Sequence, residues 1–182
     1  MRVSAIVIAF ALVSPTALNA QMAVSTFGAT DAQLCYEDAR DDMSSNADHC
    51  DEALKTAGMT ERDRIATYVN RGLILNRAGR LNEALADFDE ALSRDDGTAE
   101  AYLNRGNTYY LMRRYDEAIE DYRASLDYDL AKAHVAWYNI GLAYEAQNDP
   151  AKAKSAYQTS LELNPDFGPA QAKLGAEPKA ER

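Results

Sequence analysis

Apolar and small residues recur at helical spacing through most of the chain, and they do so in paired segments. Within residues 99–130, Tyr102, Gly106 and Tyr109 fall on one face of a first helix. Ala118, Tyr122 and Ser125 fall on one face of a second, after a break near Arg113 to Tyr115. Small residues stand opposite large ones across this pair, so two antiparallel helices can interlock without voids. The outer sides of such a hairpin remain apolar and need neighbours to cover them.

The neighbours are copies of the same pattern. Gly72, Gly106, Gly141 and Gly175 stand 34, 35 and 34 residues apart. Each of the first three is followed, at steps of twelve, four and three, by a small, an aromatic and a small residue. These are Ala84, Phe88 and Ala91, then Ala118, Tyr122 and Ser125, then Ala153, Tyr157 and Ser160. An aromatic residue precedes each of those glycines by four positions: Tyr68, Tyr102 and Trp137. A period of this length marks stacked helical units. Gly79 permits the reversal within the first unit, and Asp149 with Pro150 supplies a cap and a pre-set φ for the last second helix. The extra residue of the 35-residue step lies between Ser125 and Trp137 and is expected to alter how the third unit stacks.

These positions resemble the tetratricopeptide repeat family, whose motif runs W-x2-L-G-x2-Y, then A-x3-F, then P. The third copy carries Trp137, Ile140, Gly141, Tyr144, Ala153, Tyr157 and Pro165. In the second, Tyr102, Gly106, Tyr109, Ala118 and Tyr122 match, with Arg105 replacing the leucine and Leu130 the proline. In the first, Tyr68, Gly72, Ala84 and Phe88 match, while Arg71, Leu75 and Asp96 depart. The resemblance implies an all-α fold, a right-handed superhelical solenoid of antiparallel helix pairs with repeats at 65–98, 99–132 and 134–167. Residues 168–175 follow the first half of a further repeat and are expected to form a short C-terminal capping helix.

Ligand-facing positions of the family lie on the concave side, along the first helix of each repeat. By alignment they are Ala66, Val69, Leu73, Asn76 and Arg77 in repeat one. Repeat two contributes Glu100, Leu103, Asn107, Tyr110 and Leu111, and repeat three Val135, Tyr138, Leu142, Glu145 and Ala146. Val69, Leu73, Leu103, Asn107, Tyr110, Tyr138 and Leu142 are the candidate partner-binding residues, an apolar stripe suited to an extended segment or a partner helix. The competing reading packs the same side chains against the N-terminal hairpin, the tail or each other. Some family members clamp a peptide's C-terminal carboxylate with Lys, Asn and Arg; the corresponding positions here hold Val69, Leu73, Asn104, Val135 and Asn139. Lacking a cation, that clamp is expected to be disabled. Asn70, Asn104 and Asn139 recur at one repeat position and are expected to bond between adjacent repeats. Arg71 and Arg105 either pair with nearby carboxylates or help present a binding surface.

Upstream of the repeats, residues 31–58 are expected to form an N-terminal helical hairpin. Its first helix runs from Asp31 to near Met43; Ser45 with Asp48 resembles a capping box opening the second, and Gly58 closes it. Cys35 and Cys50 then face each other across the turn, placed for a disulfide. A metal site or a reactive thiol near His49 is the alternative, although two Cys and one His fall short of a closed zinc site and fourteen residues separate the cysteines.

Residues 1–20 have the anatomy of a secretory signal peptide: Arg2, an uncharged apolar run over 3–13, Pro15, and Ala20 before the expected cleavage. A membrane anchor competes, but the run is shorter than the roughly 20 apolar residues that span a bilayer, so no stable span is expected after cleavage. The reading implies export, to the periplasm of a Gram-negative cell or otherwise to the medium, with a linker at 21–30 and a disordered tail at 176–182.

Charge narrows the partners. With 29 acidic and 19 basic residues the 182-residue chain carries a net −10, which disfavours nucleic acid and favours a protein or peptide partner. No catalytic motif, metal-ligand set or cofactor loop stands out: the histidines are His49 and His134, without H-E-x-x-H or G-x-S-x-G. The sequence is therefore expected to encode a monomeric, non-catalytic interaction scaffold of the cell envelope. The alternatives are an acidic-surface docking subunit of an envelope complex, or a thiol-dependent enzyme built on Cys50.

Overall fold

A computed structural model describes residues 30–41, 43–128 and 130–175. The chain divides into two units, Met1–Thr30 and Asp31–Arg182, and all the described helices belong to the second. The expected signal peptide at 1–20, nearly all of the linker at 21–30 and the expected tail at 176–182 lie outside the described residues.

Nine helices follow one another among the described residues, with no strand. They are α1 (Asp31–Arg40), α2 (Asp48–Lys55), α3 (Glu61–Arg77), α4 (Leu81–Arg94), α5 (Ala99–Leu111), α6 (Tyr115–Asp127), α7 (Ala133–Ala146), α8 (Pro150–Leu163) and α9 (Gly168–Leu174). Helices α3 with α4, α5 with α6, and α7 with α8 form the three repeat pairs, and each second helix packs on the first helix of the next unit. First helices also meet directly, α3 against α5 and α5 against α7, so their free faces line one side of the stack.

Within a pair, the missing Cβ of the repeat glycine sets the approach. A Cβ on Gly72 would lie 2.7 Å from Cε1 of Phe88, and one on Gly106 would lie 2.7 Å from Cε1 of Tyr122. Both rings are buried, so glycine is what lets the aromatic residue of the second helix seat against the first. The turns repeat as faithfully. Gly79, Arg113 and Asn148 occupy equivalent positions with φ of 73°, 60° and 60°. Each left-handed residue allows the next N–H to reach back to a carbonyl one turn earlier: Arg80 to Leu75, Arg114 to Tyr109 and Asp149 to Tyr144, all at 2.9 Å. Asp149 then caps α8 by accepting from the Lys152 N–H at 3.1 Å, with Pro150 in the first turn.

The unequal step is visible between units. Four residues separate α4 from α5 and α8 from α9, whereas five separate α6 from α7. In that longer turn Leu130 is buried beside Ala99 and Ala136, and Tyr128 stacks on Tyr102 with ring centroids 5.6 Å apart. Helix α9 closes the far end with Ala170 fully buried. Gly175, which continues the glycine period, is not inside a helix there; it ends α9 with a φ of 67°.

The capping box expected at Ser45 is not formed. Asn46 Oδ1 takes the Asp48 N–H at 2.9 Å, α2 starts at Asp48, and its N-cap is Ala47 without a side-chain cap. Helix α1 also stops earlier than expected, at Arg40. Thr60 instead makes the box that opens α3: its Oγ1 accepts from the Asp63 N–H at 3.1 Å and its hydroxyl donates to Asp63 Oδ2 at 2.7 Å. The result is a 17-residue α3, whose start precedes the expected repeat boundary at 65 by one helical turn.

Hairpin α1/α2 lies against α3. Cys35 and Cys50 stand face to face, with Cα atoms 4.7 Å apart, and with Ala39, Ala47 and Ile74 they form a small buried cluster. His49 Nδ1 meets Asp38 Oδ2 at 2.7 Å, and that hydrogen bond raises the imidazole above its usual 6.5. The Arg77 guanidinium donates to the carbonyl oxygens of Asp38 and Asp41 at 3.3 and 2.9 Å, and to that of Ala39, satisfying the exposed end of α1.

Candidate functional site

The first-helix faces of α3, α5 and α7 carry the residues that the sequence marks for a partner, and the structure distributes them among three surroundings. Leu73 packs beneath the hairpin against the Cys35 and Cys50 cluster, and Arg77 is engaged by the end of α1. Tyr138 lies at the other end, tilted against Tyr157 at 5.5 Å and edge-on to Phe167 at 5.4 Å. Glu145 is held nearby, accepting from Lys173 at 2.6 Å and from the Tyr157 hydroxyl at 2.7 Å. These two bonds, the lysine first, pull its carboxyl below the usual range. Leu73 and Tyr138, one toward each end of the candidate stripe, are thus covered by the chain's own terminal elements.

The middle is open. Asn107, Tyr110 and Leu142 line a cavity of about 220 Å³ between α5 and α7, together with Leu111, Tyr122 and Asn139. Asn107 Oδ1 organises its polar side, accepting from the Tyr122 hydroxyl at 3.0 Å and from Asn139 Nδ2 at 2.9 Å. Burial pushes the Tyr122 phenol well up, so it stays a neutral donor. Leu111 is 55% exposed at the rim, a large apolar side chain left to solvent. Leu103 supports this region from below, packing with Leu126 and on the buried Leu130 and Ala136.

A larger cavity of about 810 Å³ lies over α3, walled by α1 and by the turn into α5. Its apolar lining includes Tyr36, Ile65, Ala66 and Val69. The early start of α3 builds part of it, because Glu61 and Arg62 sit on the additional first turn. Tyr36 escaped sequence reasoning, since α1 lies outside the repeats; an aromatic residue next to Cys35 was the available signal.

The asparagines of the repeat do not behave alike. Asn139 bridges to the preceding repeat as expected, whereas Asn104 Nδ2 donates to the Glu100 carbonyl of its own helix at 2.9 Å. The reason lies one repeat back: the residue equivalent to Asn107 is Leu73, which offers no acceptor. Arg71 and Arg105 form carboxylate pairs. Arg71 grips Asp87 through Nε and Nη2 at 2.8 and 2.6 Å and reaches Asp51 of α2 at 2.6 Å. Arg105 grips Asp121 at 2.8 Å through Nε and Nη2 and reaches Asp89 at 2.6 Å. Asp87 is nearly buried, and desolvation outweighs the arginine's help, so its carboxyl titrates above the usual range. Both pairs stand in the seam between helices and away from the two cavities described above. Among the described residues no cluster of three or more His, Cys, Asp or Glu is poised to hold a metal, and no helix is long and apolar enough to cross a membrane.

Comparison with known proteins agrees with this architecture. Tetratricopeptide repeat profiles match residues 63–131 and 134–167, and the chain belongs to that family. Human tetratricopeptide repeat protein 13 is 30% identical over 115 residues, 63% of this chain and 13% of that protein. The chain therefore spans only a small part of the length of such relatives. YrrB, described as a tetratricopeptide repeat protein with an unusual peptide-binding site, superposes with a TM-score of 0.61 at 22% identity over 71% of this chain and 64% of its own. The second repeat domain of human RPAP3, in complex with the HSP70 peptide SGPTIEEVD, gives 0.59 at 22% identity over 64% of this chain and 96% of its own. At such identities the structural likeness establishes the fold.

Proposed function

We propose that this protein is a non-catalytic interaction scaffold that holds a peptide or helix of a partner along the faces of α5 and α7. The observation that carries the reading is the preformed, uncharged cavity of Asn107, Tyr110, Leu111 and Leu142, on the helix faces that the family turns to ligands. A preformed cavity costs the scaffold little conformational entropy on binding. Peptide complexes of structurally similar repeat domains support the class of ligand. The acidic tail in that complex is a poor model for the ligand here, because the clamp positions hold Val69, Leu73, Asn104, Val135 and Asn139 and the protein is itself anionic.

Export to the cell envelope belongs to the same proposal. Its supports are the signal-like segment at 1–20 and the placement of Cys35 against Cys50, a pairing that persists in oxidising compartments. Intact mass of the secreted chain is then about 2 Da below that of the reduced chain, and two rapidly alkylated thiols would return the thiol-enzyme alternative to contention. The binding reading is tested by capture from the native envelope fraction with Tyr110→Glu and Leu142→Glu as controls. Both variants are expected to lose the prey at low and high salt alike, since apolar contacts survive ionic screening. Prey retained by both variants but released by salt would replace groove binding with docking on the acidic surface.

A further inference from the structure

The cavity over α3 differs in character from the one between α5 and α7. It is about 810 Å³, within the range of sites that bury a substantial ligand, and its apolar patch of Tyr36, Ile65, Ala66 and Val69 has a charged rim. The charges on that rim are not equally available. Arg94 is already spent, bonding Glu61 at 2.6 Å and Glu90 at 2.8 Å and lying over the Tyr68 ring at 5.4 Å. Glu61 shares that guanidinium with Glu90, so the pairing offsets only part of its charge. This leaves Asp95 and Glu100 against Arg62 among the charged lining residues, a negative excess on a protein of net charge −10.

Resting on the scaffold reading, we propose that this cavity is a second recognition site, which takes an apolar side chain from a partner segment carrying lysine or arginine beside it. The apolar patch supplies the anchor, and the rim selects the sign of the flanking charge. Specificity then has two parts, a neutral cavity between α5 and α7 and an acid-rimmed one over α3. An acidic segment is excluded by like-charge contact with Asp95 and Glu100.

Two fluorescein-labelled ten-residue peptides test this, sharing a central Phe-Leu pair and flanked either by lysines or by glutamates. In anisotropy titrations against the full mature chain, the lysine peptide is expected to bind about tenfold more tightly. Glu100→Lys brings the two affinities to within about twofold, because it reverses the charge of one rim carboxylate, while Asp95 already accepts from the Gly97 N–H at 3.0 Å. Ala66→Trp fills the cavity from an exposed position and abolishes binding, with the thermal melt showing that the fold is kept. Leu142→Glu, in the other cavity, leaves the lysine peptide bound. Equal affinity for the two peptides, or no binding of either, would overturn the proposal and leave the scaffold reading to the envelope capture. Loss in Leu142→Glu alone would move the ligand to the cavity between α5 and α7 and overturn the second site. A dimer in sedimentation velocity that Ala66→Trp dissolves would make a second copy the occupant, which also overturns it.

Discussion

At Gly106 a methyl group would sit 2.7 Å from Cε1 of Tyr122 and 3.2 Å from the Ala118 carbonyl oxygen. Two effects of Gly106→Ala compete. Helix propensity favours alanine by about 1 kcal/mol, while overpacking a filled interface costs about 1–3 kcal/mol. Tyr122 is 1% exposed and its hydroxyl is tied to Asn107, so the ring can shift only by giving up that bond, and the clash wins. Gly106→Ala is expected to lower stability in denaturant titrations by about 1 kcal/mol net or more. Arg113 presents the opposite case. It is an exposed non-glycine residue at φ 60°, in the position that Gly79 fills in the first repeat. Arg113→Gly removes the left-handed strain and is expected to raise stability by about 0.5–1 kcal/mol, read as an upward shift of the melting temperature.

Between elements, the three repeats contain a natural substitution experiment. Arg105 of α5 and Asp121 of α6 are largely buried partners, side chains 19% and 8% exposed. The equivalent residues of the third repeat are Ile140 and Ala156, which share one apolar cluster. Both members of the ion pair are exchanged together, in the way expected if a lone buried charge is costly and the pair is worth little more than an apolar contact. Asp121→Ala alone strands a guanidinium that retains the outer Asp89 and the faces of Tyr102 and Tyr109, and is expected to cost about 2–3 kcal/mol. The double change Arg105→Ile with Asp121→Ala is expected to come within about 1 kcal/mol of the parent. A double mutant as unstable as the single one would show that the pair specifies the seam through geometry that apolar residues cannot replace.

For the whole stack, stability is approximately a sum of unit and interface contributions, so an end unit can loosen without the rest. Hairpin α1/α2 is such an end, held by Arg71 to Asp51 and by Arg77 to the end of α1 and, in the exported protein we propose, by a Cys35–Cys50 disulfide across a separation of 15 residues. Closing a loop of that length is worth about 3 kcal/mol in the chain-entropy account. Reduction is expected to raise amide exchange in α1 and α2, and then over Leu73 and Ile74 of α3, while α7 and α8 keep their protection. Uniform loss of protection along the chain would mean that the hairpin is integral to one cooperative unit rather than a cap.

The repeat and its packing were legible in the sequence because they depend on local periodicity: glycine opposite an aromatic ring, at a constant offset, can be read from residue types alone. The candidate surface was legible in part. Asn107, Tyr110 and Leu142 open onto one cavity and Val69 onto another, whereas Leu73 and Tyr138, marked by the same rule, are covered by the hairpin and by Phe167. Repeat logic assigns every unit the same faces, but the end units meet non-repeating neighbours whose positions no repeat period encodes. Two similar boxes make the same point locally. Ser45 with Asp48 and Thr60 with Asp63 both look like helix starts, yet only the second is one, because Asn46 takes the amide that Ser45 would need. The sequence by itself therefore determined the family, the helix pairs and their close contacts, all set by short-range spacing. Tertiary structure alone decided which concave residues remain open, because that depends on where the terminal elements come to rest.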